Sequence, residues 1–231
     1  GLEIISAEVL SVATKGDKKI ISTNVGDFTA KTLIIAGGSD RVNLGVSGEK
    51  EFSGKGVSYC ATCDGPLFTG KMVAVIGGGN TAVYEALHLS KFAAKVYLVH
   101  RRNSLRATAI LQEKARSDPG IEFVLESVVK SIEGDNIVHK LILQNVKNQK
   151  QFVLEVDGVF IAIGLKPNTT YLGDMLQLDK QGNIITDGQM KTNIAGILAA
   201  GDIRAGSIRQ VVAAAGDGAV AAIGAKNYID V

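Results

Sequence analysis

The chain holds two cysteines, set three residues apart as Cys60-Ala61-Thr62-Cys63. A C-x-x-C pair can close a small disulfide ring, and the lowered thiolate pKa typical of such motifs favours exchange with another dithiol. A zinc site would need two further ligands, and His88, His100 and His139 are neither closely paired nor at H-x3–5-H spacing, so no metal is expected. The pair reads as redox-active, the alternative being two buried, inert thiols. Asp64 follows at once and could give or take the proton of a leaving thiolate; capping a helix or turn is the equal alternative.

Gly77-Gly78-Gly79-Asn80-Thr81-Ala82 satisfies G-x-G-x-x-A. The pattern predicts a strand over 72–76 before it, a helix over 81–91 with Ala82, Val83, Ala86 and Leu87 inward, and a second strand over 95–99. In such a βαβ unit the first glycine permits the turn, the second lets a pyrophosphate approach the backbone, and the alanine lets helix and strand pack closely. The helix N-terminus then faces phosphate. An ordinary glycine loop is the bland alternative.

Where the second strand ends, an NAD site would place an acidic residue on the ribose 2′-hydroxyl. This chain has His100-Arg101-Arg102, with Arg106 close behind. Cations there favour a 2′-phosphate, and charge-assisted bonds contribute about 1.5–3 kcal/mol each, so losing one or two should favour NADH over NADPH by about ten-fold or more. A solvated basic loop is the alternative.

Beyond the βαβ unit, short alternating segments are expected over 121–125, 128–132, 137–143 and 152–156, read together as a β-meander, then an apolar strand over 159–164. Residues 2–6, 9–13, 19–23, 28–32 and 33–38 give the same order. The two stretches read as copies, of which only the second is preceded by a βαβ unit. Towards the C-terminus, 196–201 reads as a strand ending at Asp202 and 207–228 as a Gly- and Ala-rich helix. There Asp202 could be a cap, and Arg209 and Gln210 a solvated first turn.

With 231 residues and 24.2 kDa, the chain can form two modest domains or one large one. Hydrophobic residues at 46% and a mean hydropathy of +0.19 allow a substantial core. A net charge of +2 is too balanced for the basic field of a nucleic-acid binder. Glycine numbers 27 against 3 prolines, which points to tight turns and close backbone approach to a ligand. No apolar run reaches the roughly 18 residues of a membrane span; the nearest, 211–225, is broken by Asp217. With no basic segment leading into an apolar stretch and cleavage site, the cytoplasm is expected. The start at Gly1, inside an apolar segment and without the first βαβ unit, reads as a fragment.

These motifs together resemble the low-molecular-weight thioredoxin reductases of the pyridine nucleotide-disulfide oxidoreductase superfamily. The resemblance rests on Gly56-Val57-Ser58-Tyr59-Cys60-Ala61-Thr62-Cys63-Asp64-Gly65, Val75-Ile76-Gly77-Gly78-Gly79-Asn80-Thr81-Ala82, His100-Arg101-Arg102 with Arg106, Ala162-Ile163-Gly164 with Pro167-Asn168-Thr169, Ala199-Ala200-Gly201-Asp202, and Arg209-Gln210. It implies an α/β fold of two Rossmann-like dinucleotide-binding domains with β-meander insertions. Residues 42–166 would form the NADPH domain carrying the redox pair. Residues 1–41 and 167–231 would form a discontinuous FAD domain, truncated at its N-terminus.

The resemblance further implies FAD and NADPH as cofactors, thioredoxin as partner, and a homodimer. Gly77, Gly79, Asn80, Thr81 and Ala82, with Ile163 and Gly164, would contact cofactor, and His100, Arg101, Arg102 and Arg106 would meet the 2′-phosphate. Gly201 and Asp202 would contact the flavin side, Asp202 at the ribityl chain, with Arg209, Gln210 and Val211 along the isoalloxazine. Cys63 would face the flavin, Cys60 would attack thioredoxin and Asp64 would protonate the departing thiolate, with domain rotation about linkers near Val42 and Lys166.

Three features depart from the family pattern. The N-terminal G-x-G-x-x-G unit that holds FAD pyrophosphate is not in this sequence, so weak or no FAD retention is expected. Ala36-Gly37-Gly38 stands for the usual Ala-Thr-Gly, and Tyr84 for a common acidic residue. Two other functions fit the same motifs: an NADPH-binding fragment without activity, and a reductase of a peroxiredoxin-type carrier or a dithiol oxidase. Asp64-Gly65-Pro66-Leu67-Phe68 is also seen in the peroxiredoxin-reductase branch, whereas His100-Arg101-Arg102 argues for NADPH and thioredoxin.

Overall fold

The computed structural model describes residues 3–230. Strands β1 (Val9–Lys15), β2 (Lys18–Thr23) and β3 (Gly26–Ala30) form an antiparallel meander, followed by the short strands β4 (Leu33–Ile35) and β5 (Ser39–Arg41). Next come β6 (Val57–Ser58), α1 (Ala61–Asp64), β7 (Met72–Ile76), α2 (Asn80–Leu89), β8 (Lys95–Val99), α3 (Ala109–Ser117) and β9 (Ile121–Val124). A second meander, β10 (Ser127–Gly134), β11 (Val138–Asn145) and β12 (Gln151–Glu155), leads into β13 (Gly158–Ile161). The chain ends through β14 (Leu165–Pro167), β15 (Ile197–Ala199) and the long helix α4 (Val211–Ile229).

Two compact units result, one over 1–40 and 165–231, the other over 41–164. In the first, β15 pairs parallel with β4 and β14 pairs with β5. Its core joins Val12, Ile35, Ile184, Ile197 and Ile203. Buried Asp217 and half-buried Arg204 form an ion pair, Nη2 to Oδ1 at 2.8 Å, and Asp217 also accepts the Gly201 amide at 3.1 Å.

The second unit is an α/β layer structure around a five-stranded parallel sheet in the order β6-β13-β7-β8-β9. Because β7 is buried on both faces, its alternating side chains serve two cores. Val73 and Val75 pack with Ala82, Val83, Ala86 and Leu89 of α2, while Ala74 and Ile76 pack with Leu141 and Leu143 of the meander. Among the described residues no helix is long and apolar enough to cross a membrane.

Several expected elements fall elsewhere. Residues 3–6 form no strand, and Leu2 lies outside the described residues. Ile4 and Ile5 there are 86% and 48% exposed, and among the described residues no strand pairs with them. The segment expected to open the second meander is β9, which instead pairs parallel with β8 and completes the crossover through α3. Helix α4 starts at Val211 and not near 207. Arg209 lies in the left-handed region at φ 56°, and Gln210 is extended at φ −125° and ψ 143°, so neither belongs to a first helical turn.

Candidate functional site

Strand register gathers the chemistry of the second unit at one rim. Ser58 is paired with Phe160, Phe160 with Val75, and Val75 with Leu98. Two residues beyond this row come Cys60, Ala162, Gly77 and His100, all leaving the C-terminal ends of the parallel strands. Open α/β sheets bind ligands at that end.

Cys60 and Cys63 form a disulfide, with their Cα atoms 5.3 Å apart. Cys60 is the residue before α1, half-buried and extended, and Cys63 is exposed. The Ser58 hydroxyl accepts the Cys60 amide at 3.1 Å and donates to Asp64 Oδ2 at 2.6 Å. Asp64 is thus tied to the start of the cysteine turn through a side chain to which the sequence reading assigned no role. The preceding residue is anchored as well: the Tyr59 hydroxyl donates to buried Glu49 at 3.1 Å, and the Arg41 guanidinium lies 4.8 Å from the Tyr59 ring centroid.

The glycine turn divides its labour. Gly77 has φ 155°, and a Cβ there would lie 2.4 Å from the Ala162 carbonyl oxygen and 2.7 Å from Ala82 Cβ, so this glycine and Ala82 pack against each other. A Cβ on Gly78 would run into the His100 ring. A Cβ on Gly79 would meet nothing within 4 Å. Gly79 caps α2, whose first residues are Asn80 and Thr81, and its open side fits close approach by a pyrophosphate.

The basic segment is folded back onto this turn. The Arg106 and Ala107 amides donate to the Gly78 carbonyl at 2.7 and 3.2 Å, and the Thr108 amide donates to Asn80 Oδ1 at 2.8 Å. Arg101, Arg102 and Arg106 are exposed, and none is paired with a carboxylate of a described residue. His100 is buried with Nε2 unpartnered. Burial first, then the positive charges of Arg106, Arg102 and Arg101, hold its imidazole below the ordinary value. Ile163 and Gly164 continue from β13 on the same rim, and the Gly164 carbonyl accepts the Val42 amide at 3.1 Å.

In the other unit, Gly201, Asp202, Arg209, Gln210 and Val211 all line one cavity of about 470 Å³, together with Ala36 and Gly38. Gly201, at φ 78°, opens the turn after β15, and the Asp202 carbonyl accepts the Ser39 hydroxyl at 2.8 Å. Val211 is 82% exposed at the cavity edge. Its lining combines the Asp202 carboxylate and the Arg209 guanidinium with an apolar flank of Ile34, Val211 and Ala214, a mixture that fits a flavin.

Residues 1–218 match the profile described as pyridine nucleotide-disulphide oxidoreductase. The chain belongs to this family. A thioredoxin reductase of Peptoclostridium acidaminophilum is 43% identical over 236 residues, covering 100% of this chain and 75% of that protein. The crystal structure of thioredoxin reductase from Streptococcus pyogenes matches at 43% identity and a TM-score of 0.92, over 97% of this chain and 74% of that one. The thioredoxin reductase from Giardia duodenalis matches at 35% identity and a TM-score of 0.95, over 99% and 76%. As a family member, the chain is a flavin- and pyridine-nucleotide-linked oxidoreductase whose disulfide lies in the C-x-x-C motif.

Proposed function

We propose that the protein uses NADPH, through FAD, to reduce the disulfide of thioredoxin, with Cys60 and Cys63 as the exchanging pair. The observation that carries this reading is the placing of that disulfide on the same sheet rim as the open glycine turn and its basic segment. Names of relatives at 43% identity support the partner. Residues 41–164 then act as the NADPH unit, and 1–40 with 165–231 as part of the FAD unit.

Gly77, Gly79, Asn80, Thr81 and Ala82 place the N-terminus of α2 against the nucleotide pyrophosphate, with Ile163 and Gly164 alongside. Arg101, Arg102 and Arg106 hold the 2′-phosphate by charge-assisted bonds, and His100 backs them from its place against Gly78. Gly201, Asp202, Arg209, Gln210 and Val211 hold the flavin. Bound FAD supplies a two-electron relay from NADPH to the cysteine pair.

On the reduced pair, the Cys60 thiolate attacks the substrate disulfide, forming a mixed disulfide and expelling one substrate thiolate. Cys63 then attacks the Cys60 sulfur, which re-forms the Cys60–Cys63 bond and releases the second. Asp64, held by Ser58, delivers a proton to the leaving sulfur. The reading also includes a cytoplasmic homodimer, tested by light scattering and cell fractionation.

The deciding experiment follows NADPH oxidation by the FAD-loaded protein with thioredoxin and with oxygen alone. Turnover that depends on thioredoxin and is lost in Cys60→Ser supports the reading. Equal turnover on oxygen alone, or survival in Cys60→Ser, overturns it.

A further inference from the structure

Beneath the cysteine turn lies a carboxyl group that no step above employs. Glu85 sits on the second turn of α2, and its Oε2 is buried with no hydrogen-bond partner. The backbone amide of Ala61, in the peptide that joins it to Cys60, faces this carboxyl. The packing is direct: a Cβ placed on Gly65, just after α1, would stand 3.2 Å from Leu89 Cδ2 and 3.8 Å from His88 Cδ2, the neighbours of Glu85 on its own helix. Ala61, Ala82, Ala86 and Leu89 belong to one core cluster and are 0% exposed.

We propose that Glu85 is a positioning residue for the redox pair: its carboxyl holds the Cys60–Ala61 peptide, and a proton kept on its buried oxygen lets the pair carry the negative charge of a thiolate. This rests on the reading of Cys60–Cys63 as a working dithiol. The charge balance gives the reason. A dithiol donor passes two electrons to the S–S bond, which breaks; one proton taken up leaves a thiol and a thiolate, and two leave two thiols. With Glu85 protonated, Glu85 and the pair together carry one negative charge in the first product. With Glu85 ionised they carry two, which is costly because the Glu85 oxygen is shut off from water.

Burial pushes the Glu85 carboxyl up to about 7, opposed by the Ala61 amide. The ionisable groups on the packed elements are Asp64 on α1, Lys95 and Tyr97 on β8, Glu113, Lys114 and Arg116 on α3, and Tyr84 and His88 on α2 itself; β7 carries none. None of them contributes to the shift. The proton on Glu85 therefore answers to burial and to the charge state of the cysteine pair. By linkage, thiolate formation must raise the Glu85 pKa by as much as Glu85 ionisation raises that of the thiol.

The test uses the full chain with dithiothreitol as donor and iodoacetamide as thiolate probe, from pH 5.5 to 8.5. Glu85→Gln keeps the shape and cannot ionise. Its reduced form should alkylate about three- to ten-fold faster than wild type above pH 7, with the two profiles converging below pH 6. Superimposed profiles overturn the proposal. In the wild type, the carbon-13 carboxyl resonance of Glu85 should titrate at higher pH in the reduced chain than in the oxidised one; equal midpoints also overturn it. A wild-type disulfide that dithiothreitol cannot reduce would instead sink the reading of the pair as a working dithiol.

Discussion

The Ser58 hydroxyl donates to the Asp64 carboxylate at 2.6 Å. Because the same oxygen receives the Cys60 amide, the proposed proton donor is fixed relative to the attacking sulfur before any substrate arrives. Asp64→Asn should slow reduction of thioredoxin disulfide by the pre-reduced protein about 10²-fold, the lower range for loss of a positioned acid. Ser58→Ala keeps the carboxyl but frees it, so its rate should fall between the two. Stopped-flow measurement orders the three proteins; a Ser58→Ala rate equal to wild type would show that the tether is dispensable.

Among the described residues no carboxylate pairs with Arg101 or Arg102, so their charge is available to a phosphate. The double change to Ala should weaken NADPH binding by about ten-fold or more, at about 1.5–3 kcal/mol per charge-assisted bond, and leave NADH binding within about two-fold. Titration calorimetry with both nucleotides reads this directly. Equal losses would remove the 2′-phosphate assignment.

Gly77 and Gly79 should fail in different ways. Gly77→Ala drives a methyl into Ala82 and the Ala162 carbonyl, and should cost about 1–3 kcal/mol, or roughly 2–12 °C in Tm. A Cβ on Gly79 meets no protein atom within 4 Å, so Gly79→Ala should keep its Tm near wild type while NADPH binding weakens. Thermal melts paired with nucleotide titration separate the two.

Asp217 is held below the ordinary carboxylate range, first by its hydrogen bond to Arg204. Its folded pKa is thus depressed. The stability it provides is fully present above the unfolded value of about 3.9 and disappears as pH falls through the folded one. Asp217→Asn should therefore be less stable than wild type at pH 7, by up to about 3 kcal/mol for a broken, largely buried pair, with the difference closing as pH falls below the unfolded value of about 3.9. Urea melts between pH 2 and 7 provide the check.

The βαβ unit was readable because its signals are local. Strands at 72–76 and 95–99 come out at the expected residues, since each carries a largely apolar run stopped by a glycine or the basic segment. The pairing of β9 was not readable in this way. Four residues carry too little pattern to choose between two neighbours, and β8 wins through the crossover helix. The start of α4 escaped because a left-handed arginine leaves no mark in composition.

For the site, residue types and spacings brought out Cys60, Cys63, Asp64, the glycine turn and the arginines. Ser58 and Glu85 were missed. Ser58 matters through a side chain reaching six residues ahead, and Glu85 through the packing of α1 on α2. The one available signal for Glu85 was a lone acid between Ala82, Ala86 and Leu89, on the face of the helix that should be apolar.

The reactive loops of the second unit depart from one rim of a single parallel sheet, while the layers beneath are filled with aliphatic and aromatic side chains. Changes of clientele can therefore arise by rewriting short loops, with no repacking of the interior. Such a frame lends itself to descendants that keep its carbon skeleton and differ only in which molecules they greet.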